Sequence, residues 1–169
     1  MRILAASLIA TALSILALSA QQTGGPIDPP ADASEVLQAK GDGVQIYACT
    51  DTHSGLKWVL EGPDARLLDL SGSIIGSHFA GPTWRLVDGS QVQGELVASK
   101  PALEADSVAW LLLKARAGTA TGRLANVQFI RRTETHGGAA PASGCQSSGD
   151  TGKTVRIPYT ATYTFYAVR

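Results

Sequence analysis

Apolar and polar residues alternate with period two through much of this chain, the spacing of strands buried on one face. In residues 43–50, Val44, Ile46 and Ala48 take one face and Gln45, Tyr47 and Cys49 the other. The closing run is clearer still: Tyr159, Ala161, Tyr163 and Phe165 alternate with Thr160, Thr162 and Thr164. Pro158 has no N–H to give a ladder, so pairing there is expected to begin at Tyr159. Leu56, Trp58 and Leu60 share a face. Residues 72–94 read as two or three short strands folded about a Gly81-Pro82 break and an Asp88-Gly89 turn. Another strand is expected to open at Gly122, with Val127 and Phe129 alternating with Gln128.

Two stretches depart from this rhythm. Residues 101–117 have helix-forming Ala, Leu, Glu and Lys, but the run AWLLL also suits a buried strand, and so short a run has no decisive period. The β pattern on either side favours an extended loop followed by a strand from Val108. Residues 135–153, rich in Gly, Ser, Ala and Pro, read as a long loop, and loops of that length need pinning. Short runs between Gly, Pro and Asp breaks predict an all-β fold: a single antiparallel sandwich or barrel of roughly eight to ten strands.

The N-terminus follows a different logic. Arg2, an apolar run over residues 3–18 and small residues at Ala17, Ser19 and Ala20 have the order of a secretory signal peptide, assigned to residues 1–20. Residues 21–33, with prolines and paired glycines, read as a flexible leader, and residues 34–169 as a single β domain. Export gives the cysteines a meaning. Cys49 and Cys145 are the only two in the chain, and an oxidising compartment favours a disulfide between them. A loop of that size corresponds to at most about 4–5 kcal/mol in the chain-entropy account. The 14 Lys and Arg balance 14 Asp and Glu, which leaves neither the basic stripe of a nucleic-acid binder nor a polybasic membrane patch. No transmembrane segment is expected in the mature chain.

The segments GVQIYAC, KWVLEGPDA, GSHFAGPTW, DGSQVQG, AWLLLKA, VQFIRRTETHGGAAP with a following GC, and VRIPYTATYTFY occur in that order. Together they closely resemble the family catalogued as domain of unknown function 3455, exported proteins of bacteria and fungi, over roughly residues 41–166. The resemblance implies an exported domain with two matching cysteines and no established activity. The family pattern places a proline before the tryptophan of WLLL, where this chain has Ala109, and it varies at the slot of His136. A dehydrogenase label attached to some fungal relatives does not suit this chain. It lacks a G-x-G-x-x-G opening a helix after a strand, and it lacks the βα alternation of a dinucleotide fold.

Candidate chemistry centres on residues 76–90. His53, His78 and His136 are the only histidines. Without an H-x-H or H-x-x-x-H pair nothing local fixes two metal ligands on one face, so neither a metal nor a cofactor is expected. No G-x-S-x-G elbow supports Ser73, Ser77 or Ser90 as a nucleophile. Trp58 and Trp110 sit among apolar residues and read as core, whereas Trp84, between Thr83 and Arg85, is expected to be partly exposed. The leading reading is a non-enzymatic exported module that binds a small molecule or envelope glycan through His78, Trp84, Asp88 and Ser90. A hydrolase or metal-dependent enzyme using His78 with Asp88 or Glu61 is the second reading, and a structural envelope protein the third. Convergence of His78 with a carboxylate would favour the second, and a packed Trp84 with no cavity the third. Mass spectrometry of the unreduced protein should recover a peptide linking Cys49 to Cys145; two free thiols would remove the staple from this account.

Overall fold

The computed structural model describes residues 25–169. The segment assigned to a signal peptide, and residues 21–24 after it, lie outside the described residues. Eight strands follow in chain order: β1 Ala33–Thr52, β2 Gly55–Leu68, β3 Ile74–Phe79, β4 Thr83–Leu86, β5 Gln91–Lys100, β6 Trp110–Gly118, β7 Phe129–Gly137 and β8 Thr154–Val168. Each strand pairs with the next, and β8 returns to β1, so one antiparallel sheet closes on itself as a barrel. The described residues include one 3₁₀ turn, Ser148–Asp150, and no α-helix. No helix among them is long and apolar enough to cross a membrane.

Closure fixes which face of each strand is inside. In β1 the inward set includes Ala39, Gln45, Tyr47 and Cys49, leaving Val44, Ile46 and Ala48 on the half-exposed outer face. The polar half of that alternating pattern is therefore the buried half. On β8, Tyr159, Ala161, Tyr163 and Phe165 point inward as the period-two pattern implies. They meet Leu67, Trp84, Val92, Leu113 and Ile130 across the interior. Tyr163, paired with Ala39, lays its ring over Gly41 of β1, where a Cβ would stand 2.5 Å from that ring.

The two ends of the barrel differ. At one end the β4–β5 turn is fastened to the connection between β6 and β7. Asp88 accepts from the backbone N–H of Ser90 at 2.8 Å, from its hydroxyl at 2.6 Å and from Arg123 N–H at 2.9 Å. Leu124 and Val127, both buried, fill this end. The connection is a turn, not the strand expected to open at Gly122; β7 begins at Phe129. The reason is that Leu124 and Val127 are used to plug the barrel mouth, with local N–H groups bonded to Gly122 and Leu124 carbonyls.

The other end carries the long connections, residues 101–109 and 138–153. Cys49 is bonded to Cys145, 96 positions away, which ties the second of these to β1. Tyr47 donates to the Gly138 carbonyl at 2.7 Å, and the Trp58 indole N–H donates to the Ser143 carbonyl at 2.9 Å. Residues 101–109 run as an extended loop into β6, as expected. Pairing of β8 with β7 does stop at Tyr159, but pairing with β1 continues through Pro158 to Thr154. The proline thus sits where only one neighbour is paired and its missing N–H costs least. Ahead of β1, Ile27 is buried and Asp28 pairs with Arg131 at 3.0 Å.

The tryptophans reverse the expected order. Trp84 is only 1 % exposed, while Trp58 and Trp110 are half-buried. The break at Gly81-Pro82 precedes β4, where Trp84 faces the core beside buried Thr83 and exposed Arg85. Gly41→Ala should destabilise the fold by about 1–3 kcal/mol through overpacking against a tyrosine with no room to move, measured by urea unfolding. A variant as stable as the parent would mean Tyr163 is not held against β1.

Candidate binding site in the barrel interior

Two short strands joined by a tight turn set the site. His78 on β3 and Trp84 on β4 are directly paired residues, and cross-strand partners in such a pair lie on the same face. Their rings stack at 4.3 Å between centroids and 6° between planes. Tyr163 meets both edge-on, at 5.0 Å from His78 and 5.5 Å from Trp84. Its hydroxyl lies 3.2 Å from that of Tyr159. The cluster is a rigid aromatic wall inside the barrel.

Beside it is a cavity of about 300 Å³. Leu111 and Leu113 of β6 and Pro63 and Pro82 make its apolar walls, and Gln45, Arg132 and Tyr163 also line it. It reaches the surface between the Gly81-Pro82 turn and the exposed residues Leu60 and Glu61. A β-bulge shapes this rim. Tyr47 pairs with Leu60 and Ile46 with Gly62, so Glu61 is the extra residue. Gly62 takes φ +149°, and a Cβ there would stand 2.7 Å from Ala80. Only glycine lets β2 approach the β3–β4 turn this closely.

The polar groups around the cavity are unusual in what they lack. Both ends of the Gln45 amide and the indole N–H of Trp84 are buried without a hydrogen-bond partner. Buried polar groups are nearly always paired, because an orphaned one costs about 1–3 kcal/mol. The His78 ring Nδ1 lies 2.9 Å from the Thr83 carbonyl. A carbonyl only accepts, so Nδ1 carries the proton and Nε2 presents a lone pair. Burial pushes the imidazole pKa down to about 3, with the nearby Arg132 charge a lesser cause in the same direction and the Thr83 bond opposing. Burial likewise raises the phenols of Tyr159 and Tyr163. Arg132 donates from Nε and Nη2 to the Ala109 carbonyl, at 3.0 and 2.8 Å.

Of the four residues read from the sequence as contacts, His78 and Trp84 come together at this cavity. Asp88 and Ser90 do not line it; they form the fastening at the opposite end of β4. Asp88 is held below the usual carboxylate range by the Ser90 hydroxyl first, then by the Arg123 and Ser90 N–H groups, as a structural turn aspartate is. Glu61 shares the cavity with His78, but the histidine's ring bond goes to the Thr83 backbone. The three histidines lie apart: His53 is exposed in the β1–β2 turn, and His136 pairs at the surface with Glu104 at 2.9 Å. Among the described residues no group of three or more His, Cys, Asp or Glu is placed to hold a metal.

Gln45 and Arg132 were missed by sequence reasoning. Each is in phase with inward neighbours, Gln45 with Tyr47 and Arg132 with Ile130, and a polar residue on an otherwise buried face was the available signal. A second groove, of about 380 Å³, lies between β2 and the 138–153 loop against Trp58 and Cys145. None of the partnerless buried groups among the described residues lines it.

These features define an eight-stranded antiparallel barrel, plugged at one end and open at the other onto a small interior cavity. The chain belongs to the family described as protein of unknown function (DUF3455), whose model matches residues 30–167. No curated protein and no solved structure matches it.

The buried neutral histidine makes the fold acid-sensitive. The unfolded imidazole takes a proton near pH 6.5 and the folded one only near pH 3. Stability is therefore fully present above about pH 6.5 and falls by up to about 1.4 kcal/mol per pH unit between those values. Urea midpoints measured from pH 7 to pH 4.5 should drop more steeply for the parent than for His78→Gln. Equal slopes would mean that His78 titrates freely.

Proposed function

We propose that the protein is an exported, non-enzymatic binding module that takes a small organic molecule inside its barrel. One observation carries this: two residues that line the cavity, Gln45 and Trp84, have buried side-chain polar atoms with no partner in the chain. A ligand that bonds them recovers what their burial costs. The site also has the usual character of small-molecule pockets, apolar walls with a few fixed polar groups. A cavity of about 300 Å³ is at the small end of that range, and the stacked cluster of His78, Trp84 and Tyr163 faces the interior, so a compact molecule suits it better than an extended glycan. The Cys49–Cys145 bond supports an oxidising compartment and hence export.

The hydrolase reading has one point in its favour, the presence of Glu61 at the same cavity. Against it, an imidazole held down to about 3 is a weak base at neutral pH, far from the value that suits acid–base catalysis. Asp88 is committed to its turn. The structural reading expected a packed Trp84 and no cavity; Trp84 is packed, and a cavity lies against it.

The test is ligand-observed NMR with a library of uncharged and charged fragments of about ten non-hydrogen atoms. Several are expected to bind, and Leu111→Trp, which fills the cavity from a half-buried position, should abolish their binding with little change in melting temperature. Fragments that bind the parent and Leu111→Trp equally, or no hits at all, would count against an interior site.

A further inference from the structure

The ligand class follows from the charge at the cavity, an argument that rests on the binding reading above. Arg132 stands at an inward position of β7, two residues from fully buried Ile130. Its positive charge acts on the inward groups Tyr47, His78, Tyr159 and Tyr163. No ion pair engages it among the described residues: every salt bridge found there uses other cations. Its two bonds to the Ala109 carbonyl fix the guanidinium from one side, and within the cavity lining it also interacts with the Tyr163 phenol.

A partly buried guanidinium without a counter-charge is costly, and a carboxylate is the group whose geometry fits it. The only acidic residue lining the cavity is Glu61, which is exposed at the rim and screened by water. Two other residues lining the same cavity carry donors without partners, the Trp84 indole N–H and the Gln45 amide. That supply suits the two oxygens of a carboxylate. A phosphate dianion, with more oxygens and charge, would find one guanidinium among leucines and prolines. The space, about 300 Å³, corresponds to roughly ten waters at ~30 Å³ each, so the body attached to the acid is small.

We infer that the barrel interior binds a small organic acid, its carboxylate on Arg132, Trp84 and Gln45 and its apolar body against Leu111, Leu113 and Pro63. The acceptors His78 Nε2 and Gln45 Oε1 leave room for one hydroxyl donor on that body.

Isothermal titration calorimetry with benzoate and with benzamide, its uncharged counterpart of equal size, tests the inference on the full folded protein at pH 7. Benzoate should bind more tightly by roughly tenfold or more, the scale of one charge-assisted hydrogen bond. Arg132→Gln should erase that preference while leaving benzamide affinity in place, and Arg132→Lys should keep part of it. Equal affinity of the parent for the two probes, or preference for benzamide, overturns the acid assignment but leaves an interior binding site standing. That comparison needs no variant, so it holds even if Arg132→Gln fails to fold. If neither probe binds at millimolar concentration while other fragments do, the acid assignment also falls. If nothing binds, both readings fall together.

Discussion

Ring closure between β1 and β8 is the constraint on which the rest of the molecule depends. These two strands are paired over almost their whole length, from Ala33 opposite Val168 to Ala48 opposite Thr154. A closed sheet has no free edge, and it divides every strand into an inner and an outer row. Once β1 and β8 are joined, Gln45, Tyr47 and Cys49 must share the interior with Tyr159, Tyr163 and Phe165. The small residue Gly41 then becomes a requirement, since Tyr163 occupies the space above it. Shifting the closure by one residue would turn both inner rows outward.

The same closure separates the two ends. The β4–β5 turn and the β6–β7 connection meet at one end, and their union through Asp88, Ser90 and Arg123 seals it. At the other end two of the connections are long, and the second of them, residues 138–153, is tied to β1 and β2 by the disulfide and by the bonds of Tyr47 and Trp58. A bulge at Glu61 and a positive-φ glycine at Gly62 open the rim between β2 and the β3–β4 turn. The cavity is what the interior does not fill on the open side. Stability and access are thus assigned to opposite ends of short strands such as β4.

Inside, low polarity decides the chemistry. Desolvation keeps His78 neutral and the buried tyrosines protonated, so Arg132 is left as the inward charge. Such a site offers little for proton transfer near neutral pH. That is why the binding reading is proposed over the hydrolase that His78, Glu61 and Asp88 suggest as a list of residues.

The sequence by itself determined the strand content, the breaks between strands, the cysteine pair and the family, because period-two alternation, turn residues and spaced motifs are local properties. It also placed His78 and Trp84 in one segment, as neighbours on short paired strands must be. It did not determine which face of residues 43–50 is inside, because Val44 and Ile46 look like core until β8 claims the other side of β1. For the same reason Trp84 passed for a surface residue and Trp58 and Trp110 for core, and the turn after Gly122 passed for a strand. Asp88 and Ser90 seemed part of one site with His78, since proximity in sequence does not say that β4 runs between opposite ends of a barrel. Gln45 and Arg132, 87 positions apart in the chain, reach one cavity only through long-range strand pairing. Burial, and with it the neutral histidine and the uncompensated guanidinium, was decided by the tertiary structure, because desolvation depends on everything that closes around a group and on nothing in its immediate sequence.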